Sequence, residues 1–147
     1  MDHFEIVEMK EEHIEDVLTV EKLSFSIPWS RDAFRQEVVY NQLAKYLVGI
    51  REGRAIAYGG MWFILDEAHV TNIAVHPEHR GKSFGKKLLD AMIREAHGRG
   101  IREMTLEVRK SNRVAIGMYQ SFGFEIVGER KGFYHDNGED ALIMWKR

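Results

Sequence analysis

The sequence predicts an α/β (α+β) domain: a mixed, mostly antiparallel sheet of about seven strands with four helices, in the order βααβββαβαββ. Three observations predict it. Short segments of alternating polarity recur along the chain and read as strands. Two amphipathic stripes with helical spacing fall between strands in the second half, where they demand crossovers. Tight turn signals dominate the first half, where they allow hairpins. Together these require a mixed sheet.

Each element has its own warrant. Residues 3–9 alternate and read as a strand. Ile14, Val17 and Leu18 follow at helical spacing, with Phe25 further along the same face and Pro28 breaking the helix. Ser30 is placed to cap a second helix whose apolar positions are Ala33, Phe34 and Val38. Residues 46–51 and 55–64 are strands joined by a turn at Glu52-Gly53-Arg54. After the short turn at Asp66-Glu67, His69 to Val75 is a β-branched strand that Pro77 closes. Residues 83–97 carry the strongest helical stripe, from Phe84 through Leu88, Leu89, Met92 and Ile93 to Ala96. Gly98 and Gly100 stop it. Met104, Leu106 and Val108 alternate as a strand. Ser111 caps a further helix bearing Val114, Ile116, Met118 and Tyr119, and Gly123 ends it. Strands at 124–128 and 141–145 complete the set, with Asn137-Gly138 as a hairpin turn between them.

At 147 residues, the chain predicts a single domain spanning 1–147. Lys plus Arg number 21 against 23 Asp plus Glu, a formal net charge of −2, so broad nucleic-acid binding is not expected. No apolar run reaches the roughly 20 residues of a membrane span. The start, Met1 to Lys10, is acidic and alternating, unlike a signal peptide, and a cytoplasmic location is the expectation. There is no cysteine, which excludes a thiol nucleophile and thiolate metal ligands. The seven histidines show no zinc-ligand spacing, so no metal is expected.

Chemistry concentrates in two stretches. The first is HVTNIAVHPEHRGKSFGKKLL, residues 69–89. A strand ends at His76-Pro77, and a basic, glycine-bearing loop leads into a helix near Ser83. Arg80, Gly81, Lys82, Ser83, Phe84, Gly85 and Lys86 put free backbone N–H groups and positive charge at that helix start, which suits a pyrophosphate. The run is neither a P-loop nor a GxGxxG turn. A solvated basic turn is the plainer alternative.

The second is LEVRKSNRVAIGMYQSFGF, residues 106–124. Met104, Leu106 and Val108 share one strand face, so Glu107 points to the other. A carboxylate there is either a general base at a wet cleft or an exposed strand glutamate. Asn112 and Tyr119 lie seven apart and share a helix face. Tyr119 is either a proton donor to a leaving thiolate or a half-buried packing residue. Glu21 falls on the apolar side of the first helix, seven residues after Ile14. It is a candidate for binding or orienting an amine, or else a partly exposed helix charge.

Together the two stretches resemble the GCN5-related N-acetyltransferase (GNAT) superfamily over nearly the whole chain. The superfamily's acetyl-CoA motif reads Arg or Gln, two residues, Gly, one residue, then Gly or Ala. Here the run is Arg80-Gly81-Lys82-Ser83-Phe84-Gly85, with Ser83 where the first glycine is usual. Within the superfamily, the chain looks most like the ribosomal-protein-alanine N-acetyltransferases. The resemblance rests on Glu21 upstream of Pro28-Trp29-Ser30, on Leu65-Asp66-Glu67-Ala68 before Asn72-Ile73-Ala74-Val75, and on Leu106-Glu107-Val108-Arg109 before Ser111-Asn112. It rests also on Tyr119 before Gly123-Phe124, and on Tyr134 before Gly138-Glu139-Asp140-Ala141.

The resemblance implies acetyl-CoA as cosubstrate and a protein N-terminal amine as acceptor, that of the alanine of a small-subunit ribosomal protein. It implies two splayed strands, with pantetheine pairing along Ile73, Ala74 and Val75. It implies Glu107 as general base, Tyr119 as general acid and Asn112 as a coenzyme A contact. Glu21, Trp29 and Tyr134 are the acceptor-side candidates, with core packing as the alternative for Trp29 and Tyr134. Without cysteine, transfer is expected by direct attack in a ternary complex. Two other readings share the same cofactor half: an acetyltransferase for a small-molecule amine, and a non-catalytic coenzyme A sensor. Neither direct nucleic-acid nor membrane partners are expected.

Overall fold

A computed structural model describes residues 3–147; Met1 and Asp2, part of the acidic start, lie outside them. Seven strands form one sheet: β1 (Phe4–Glu8), β2 (Ala44–Arg51), β3 (Arg54–Ile64), β4 (Glu67–Val75), β5 (Glu103–Arg109), β6 (Glu125–Arg130) and β7 (Ala141–Lys146). Their order across the sheet is β1-β2-β3-β4-β5-β7-β6. Every neighbouring pair is antiparallel except β4 and β5. That parallel pair needs a crossover, and α3 (Phe84–Gly98) supplies it. The expected strand and helix order holds throughout.

The helices cover both sheet faces. On one side α3 buries Leu88, Leu89 and Met92 completely against Met61, Leu106 and Met144. Gly59 lets it approach closely, since a Cβ there would meet Met92 Sδ at 2.5 Å. Tyr119 of α4 (Arg113–Ser121) joins the same core. On the other side α1 (Ile14–Ser24) packs Val17 and Val20 beside Tyr46, Val48 and Tyr58. Ser30 caps α2 (Arg31–Arg35), its Oγ accepting the Ala33 N–H at 3.1 Å, and a π-helical turn continues it over Gln36–Tyr40. No helix among the described residues is long and apolar enough to cross a membrane.

Two local readings are corrected. Helix α1 stops at Ser24, and Phe25 is extended (φ −131°, ψ 141°) and 37% exposed rather than a core position. The helix ends four residues ahead of Pro28, its last turn closed by the Phe25 N–H donating to Glu21 O at 3.0 Å. Asn137-Gly138 does not join β6 to β7 as a two-residue hairpin. It makes a turn inside the longer 131–140 loop, with Gly138 N–H donating to Tyr134 O at 2.8 Å.

The relation that makes the site is between β4 and β5. They pair only at Glu67–His69 with Glu103–Thr105 and then part. An irregularity sits on the other side of β4, next to the point of parting. Gly60 pairs with Asn72 but Met61 pairs with Val70, so Thr71 is an extra residue in β4. Such a bulge bends its strand and increases its twist. Thr71 Oγ1 lies 3.1 Å from Tyr46 Oη, which anchors the bend.

Candidate active site

The parting strands open a cleft of about 1080 Å³. Its size suits a cosubstrate with an elongated arm. Residues Ile73, Ala74 and Val75 line its β4 wall, and Leu106, Glu107 and Val108 line its β5 wall. Beyond His69 the facing edges of the two strands have no ladder between them, so their main-chain groups are left for a ligand.

At one end of the cleft lies the loop before α3. Gly81 and Ser83 both take left-handed backbone conformations, with φ of 78° and 66°. The first intrahelical bond runs from Lys87 N–H to Ser83 O at 3.1 Å, and the Ser83 side chain makes no cap bond. The amides of the first turn are therefore open to an anion, and that turn holds no acidic residue. Successive N–H groups in such a turn form an anion-binding concavity, which fits a pyrophosphate. Ser83 keeps the backbone shape that glycine takes without strain, so the departure from the motif is one of cost rather than of geometry.

The candidate residues of this loop differ in placement. Gly81, Ser83, Gly85 and Lys86 line the cleft. Phe84 lines it too, but its ring is stacked on Phe4 at 4.3 Å, so its main chain is the part that a ligand can use. Arg80 folds back, donating from Nε to Val75 O at 2.9 Å and from Nη2 to Ser24 Oγ at 3.1 Å. It ties the end of β4 to the end of α1. Lys82 is exposed and is not part of the cleft wall. Asn112 lines the cleft while its Oδ1 accepts the Ala115 N–H at 3.2 Å, so Asn112, and not Ser111 as expected, caps α4.

Glu107 and Tyr119 both line the cleft. Glu107 Oε2 lies 2.9 Å from Nε2 of His69, and the carboxylate side chain is 16% exposed. The His69 hydrogen bond holds the Glu107 carboxyl below the usual carboxylate range, against an opposing effect of burial. The same bond raises His69 above the ordinary imidazole value. Burial pushes the Tyr119 phenol up, so it keeps its proton at neutral pH.

The far end is roofed by two loops. Ser26 Oγ donates to Asp136, and Asp136 also accepts from Arg109 Nη2 at 2.8 Å. Arg109 reaches Glu139 at 3.2 Å and lies over the Tyr134 ring at 4.0 Å from its centre. The loop after α1 and the 131–140 loop are thus fastened together above β5. Trp29 packs on Phe34 and Tyr46 and also lines the cleft. Glu21, 1% exposed, accepts the Tyr58 hydroxyl at one oxygen and the Trp29 N–H at the other, at 2.9 Å. Its burial raises the carboxyl above its ordinary value.

Residue patterns did not single out His69, Ser26, Asp136 or Arg109 as site residues. Their partners lie 38, 110 and 27 positions away in sequence, so only the strand register and loop docking disclose them.

Comparison with known proteins agrees with this geometry. Residues 14–124 match the model of the Acetyltransferase (GNAT) family. A Bacillus subtilis (strain 168) protein, provisionally named a ribosomal protein bS18-alanine N-acetyltransferase, is 44% identical over 137 residues, covering 93% of this chain and 91% of its own. The Escherichia coli (strain K12) ribosomal protein bS18-alanine N-acetyltransferase is 36% identical over 129 residues, covering 85% and 84%. The crystal structure of an Escherichia coli ribosomal-protein-alanine N-acetyltransferase superposes with a TM-score of 0.90 at 30% identity, over 98% of this chain and 93% of that one. The chain belongs to the acetyltransferase (GNAT) family and is an acetyl-CoA-dependent N-acetyltransferase.

Proposed function

We propose that the acceptor is the N-terminal amine of a protein, that of an alanine at the start of a small-subunit ribosomal protein. The similarity to relatives named for that acceptor carries the reading. The cleft supports it, because Ser26 and Asp136 of the two joined loops line it together with Glu107, so the acceptor side is walled by loops. An acceptor of this kind implies a cytoplasmic location.

The main chain of Ile73, Ala74 and Val75 and the α3 amides, with Gly81, Ser83, Phe84, Gly85 and Lys86 around them, hold acetyl-CoA, which supplies the acetyl group. Arg80 and Lys82 add positive charge to that end, and Asn112 contacts the cosubstrate beside α4. An α-amine with a pKa of roughly 8 is largely protonated at neutral pH. Glu107, directly or through water, removes the proton that blocks its lone pair. A backbone N–H near Ala74 or Val75 polarises the thioester oxygen. Tyr119 gives its phenolic proton to the departing sulfur. With no cysteine in the chain, the amine attacks the thioester directly. Trp29 and Tyr134 flank the acceptor, and Glu21 shapes its path by fixing the Trp29 backbone.

The test is coenzyme A release with three acceptors: a peptide with a free N-terminal alanine, the same peptide blocked at its N-terminus but carrying lysine, and a polyamine. Turnover confined to the free alanine terminus is expected. Turnover on the polyamine would move the acceptor to small amines. Tight acetyl-CoA binding with turnover on none of the three would discard the N-terminal alanine acceptor.

A further inference from the structure

We infer that His69 is a positioning residue for Glu107, its Nε2–H holding one carboxylate oxygen so that the other is presented to the acceptor amine. The inference rests on the assignment of Glu107 as base. Three observations carry it. Nε2 of His69 and Oε2 of Glu107 are 2.9 Å apart. Glu107 is part of the cleft wall and His69 is not, so the histidine reaches the site through the carboxylate. The His69 backbone is paired on both sides, with Trp62 of β3 and Thr105 of β5.

Chemistry fixes the direction of the bond. An ionised carboxylate can only accept, so Nε2 carries the hydrogen and donates it. Protonation of the ring takes place at Nδ1, and Nε2 remains a donor in both states of the histidine. The carboxylate accepts at both of its oxygens. With Oε2 engaged, Oε1 is the oxygen left for the amine.

The site needs such an anchor because of where Glu107 sits. His69 is the last β4 residue paired with β5, and Glu107 lies two residues beyond Thr105, where the strands have parted. Its backbone is held by β7, opposite Ile143. Its carboxylate can still swing about several side-chain bonds. The donor at the closed end of the fork removes that freedom. A base must come within hydrogen-bond reach of the proton it takes, and a misplacement of about 1 Å can cost about 10²-fold. The charged and titratable groups facing the pair are Glu67 on β4, Arg130 on β6 and, toward Glu107, Tyr134 of the 131–140 loop.

The experiment measures kcat, on whichever acceptor turns over, in His69→Ala, His69→Leu and His69→Gln, each alone and combined with Glu107→Gln. Glutamine can offer an N–H near the place of Nε2; alanine and leucine cannot. The two variants without a donor are expected to lose about tenfold in kcat, and His69→Gln to recover most of that loss. KM for acetyl-CoA should stay within about twofold in all three. In the Glu107→Gln background the same substitutions should cost nothing further, because His69 acts through that carboxylate. A carboxyl NMR titration of Glu107 gives a readout that needs no acceptor. Without the donor, burial acts unopposed, so Glu107 should titrate higher in His69→Ala and His69→Leu than in wild type, and His69→Gln should bring it back down. Wild-type kcat in the variants without a donor, an equal loss in the Glu107→Gln background, no recovery with glutamine or an unmoved Glu107 titration would each overturn the proposal. Wild-type kcat in Glu107→Gln alone would remove the base assignment and the inference with it, so the two failures are distinguishable.

Discussion

Glu21 and Tyr58 are joined in the core beside the cleft: the phenol of β3 donates to the carboxyl of α1, whose other oxygen accepts the Trp29 N–H. Glu21→Ala therefore leaves the buried Tyr58 hydroxyl unsatisfied, at roughly 1–3 kcal/mol, and the half-buried Trp29 N–H as well, at less. Glu21→Gln keeps one acceptor and should lose less. The pH dependence separates charge from hydrogen bonding. Burial raises the Glu21 carboxyl above its unfolded value, so its contribution is fully present below about 4.5 and fades as pH rises through the folded value. Above pH 4.5, Glu21→Gln should gain stability relative to wild type as pH rises through the folded value. Urea midpoints at several pH values check this; a constant difference would show that Glu21 does not titrate in that window.

Ser83 adopts a φ of 66°, a conformation that costs a residue with a Cβ about 1–2 kcal/mol and glycine almost nothing. Ser83→Gly should stabilise the fold by about 0.5–1 kcal/mol, the strain relief being offset in part by greater freedom of the unfolded chain. Ser83→Ala retains the Cβ and should leave stability unchanged. The hydroxyl makes no cap bond, so Ser83→Ala should also leave KM for acetyl-CoA within about twofold if the amides hold the pyrophosphate. Equilibrium denaturation and acetyl-CoA titration of the same two variants test both statements.

Much of this architecture is written in local pattern. Period-2 stretches and the Leu88–Leu89–Met92 stripe define elements without reference to the rest of the chain. Glu107 could be set apart from Leu106 and Val108 by alternation alone. What pattern cannot supply is the register between distant strands. His69 reads as one more strand residue until the parallel pairing sets it opposite Thr105 and next to Glu107. The bulge at Thr71, close to where β4 leaves β5, has no compositional mark either. Phe25 misleads for the opposite reason: it keeps helical spacing from Leu18 although the backbone has already turned extended.

Asp136 fastens the roof by accepting from Ser26 of one loop and Arg109 of β5. These same contacts hold its carboxyl below the usual range. Asp136→Ala cuts the clasp and leaves the pyrophosphate end untouched. We expect KM for the peptide to rise severalfold with KM for acetyl-CoA unchanged, the pattern of lost acceptor positioning. An exposed contact of this kind is screened by salt, so the wild-type peptide KM should also rise between low and high ionic strength, and the variant's should not. Equal salt responses would remove the clasp from acceptor binding.

Glu107 and Tyr119 give the sharpest test because their environments push them in opposite directions. The His69 bond lowers the Glu107 carboxyl, so it is ionised and able to accept a proton from mildly acid pH upward. Burial raises the Tyr119 phenol, so it remains a proton donor well beyond neutral pH. Glu107→Gln and Tyr119→Phe should each lower kcat by about 10²–10⁴-fold. The kcat profile of wild type should show no fall at alkaline pH that traces to Tyr119 before the protein unfolds. Stability provides an independent check with the sign reversed from Glu21. A lowered carboxyl contributes stability that is present above about 4.5 and lost as pH falls through the folded value. Glu107→Gln should therefore be less sensitive than wild type to acid below pH 4.5, while losing its activity at every pH. Wild-type rates in both variants would remove the two residues from the chemistry and leave the cleft as a binding site whose acid and base lie elsewhere.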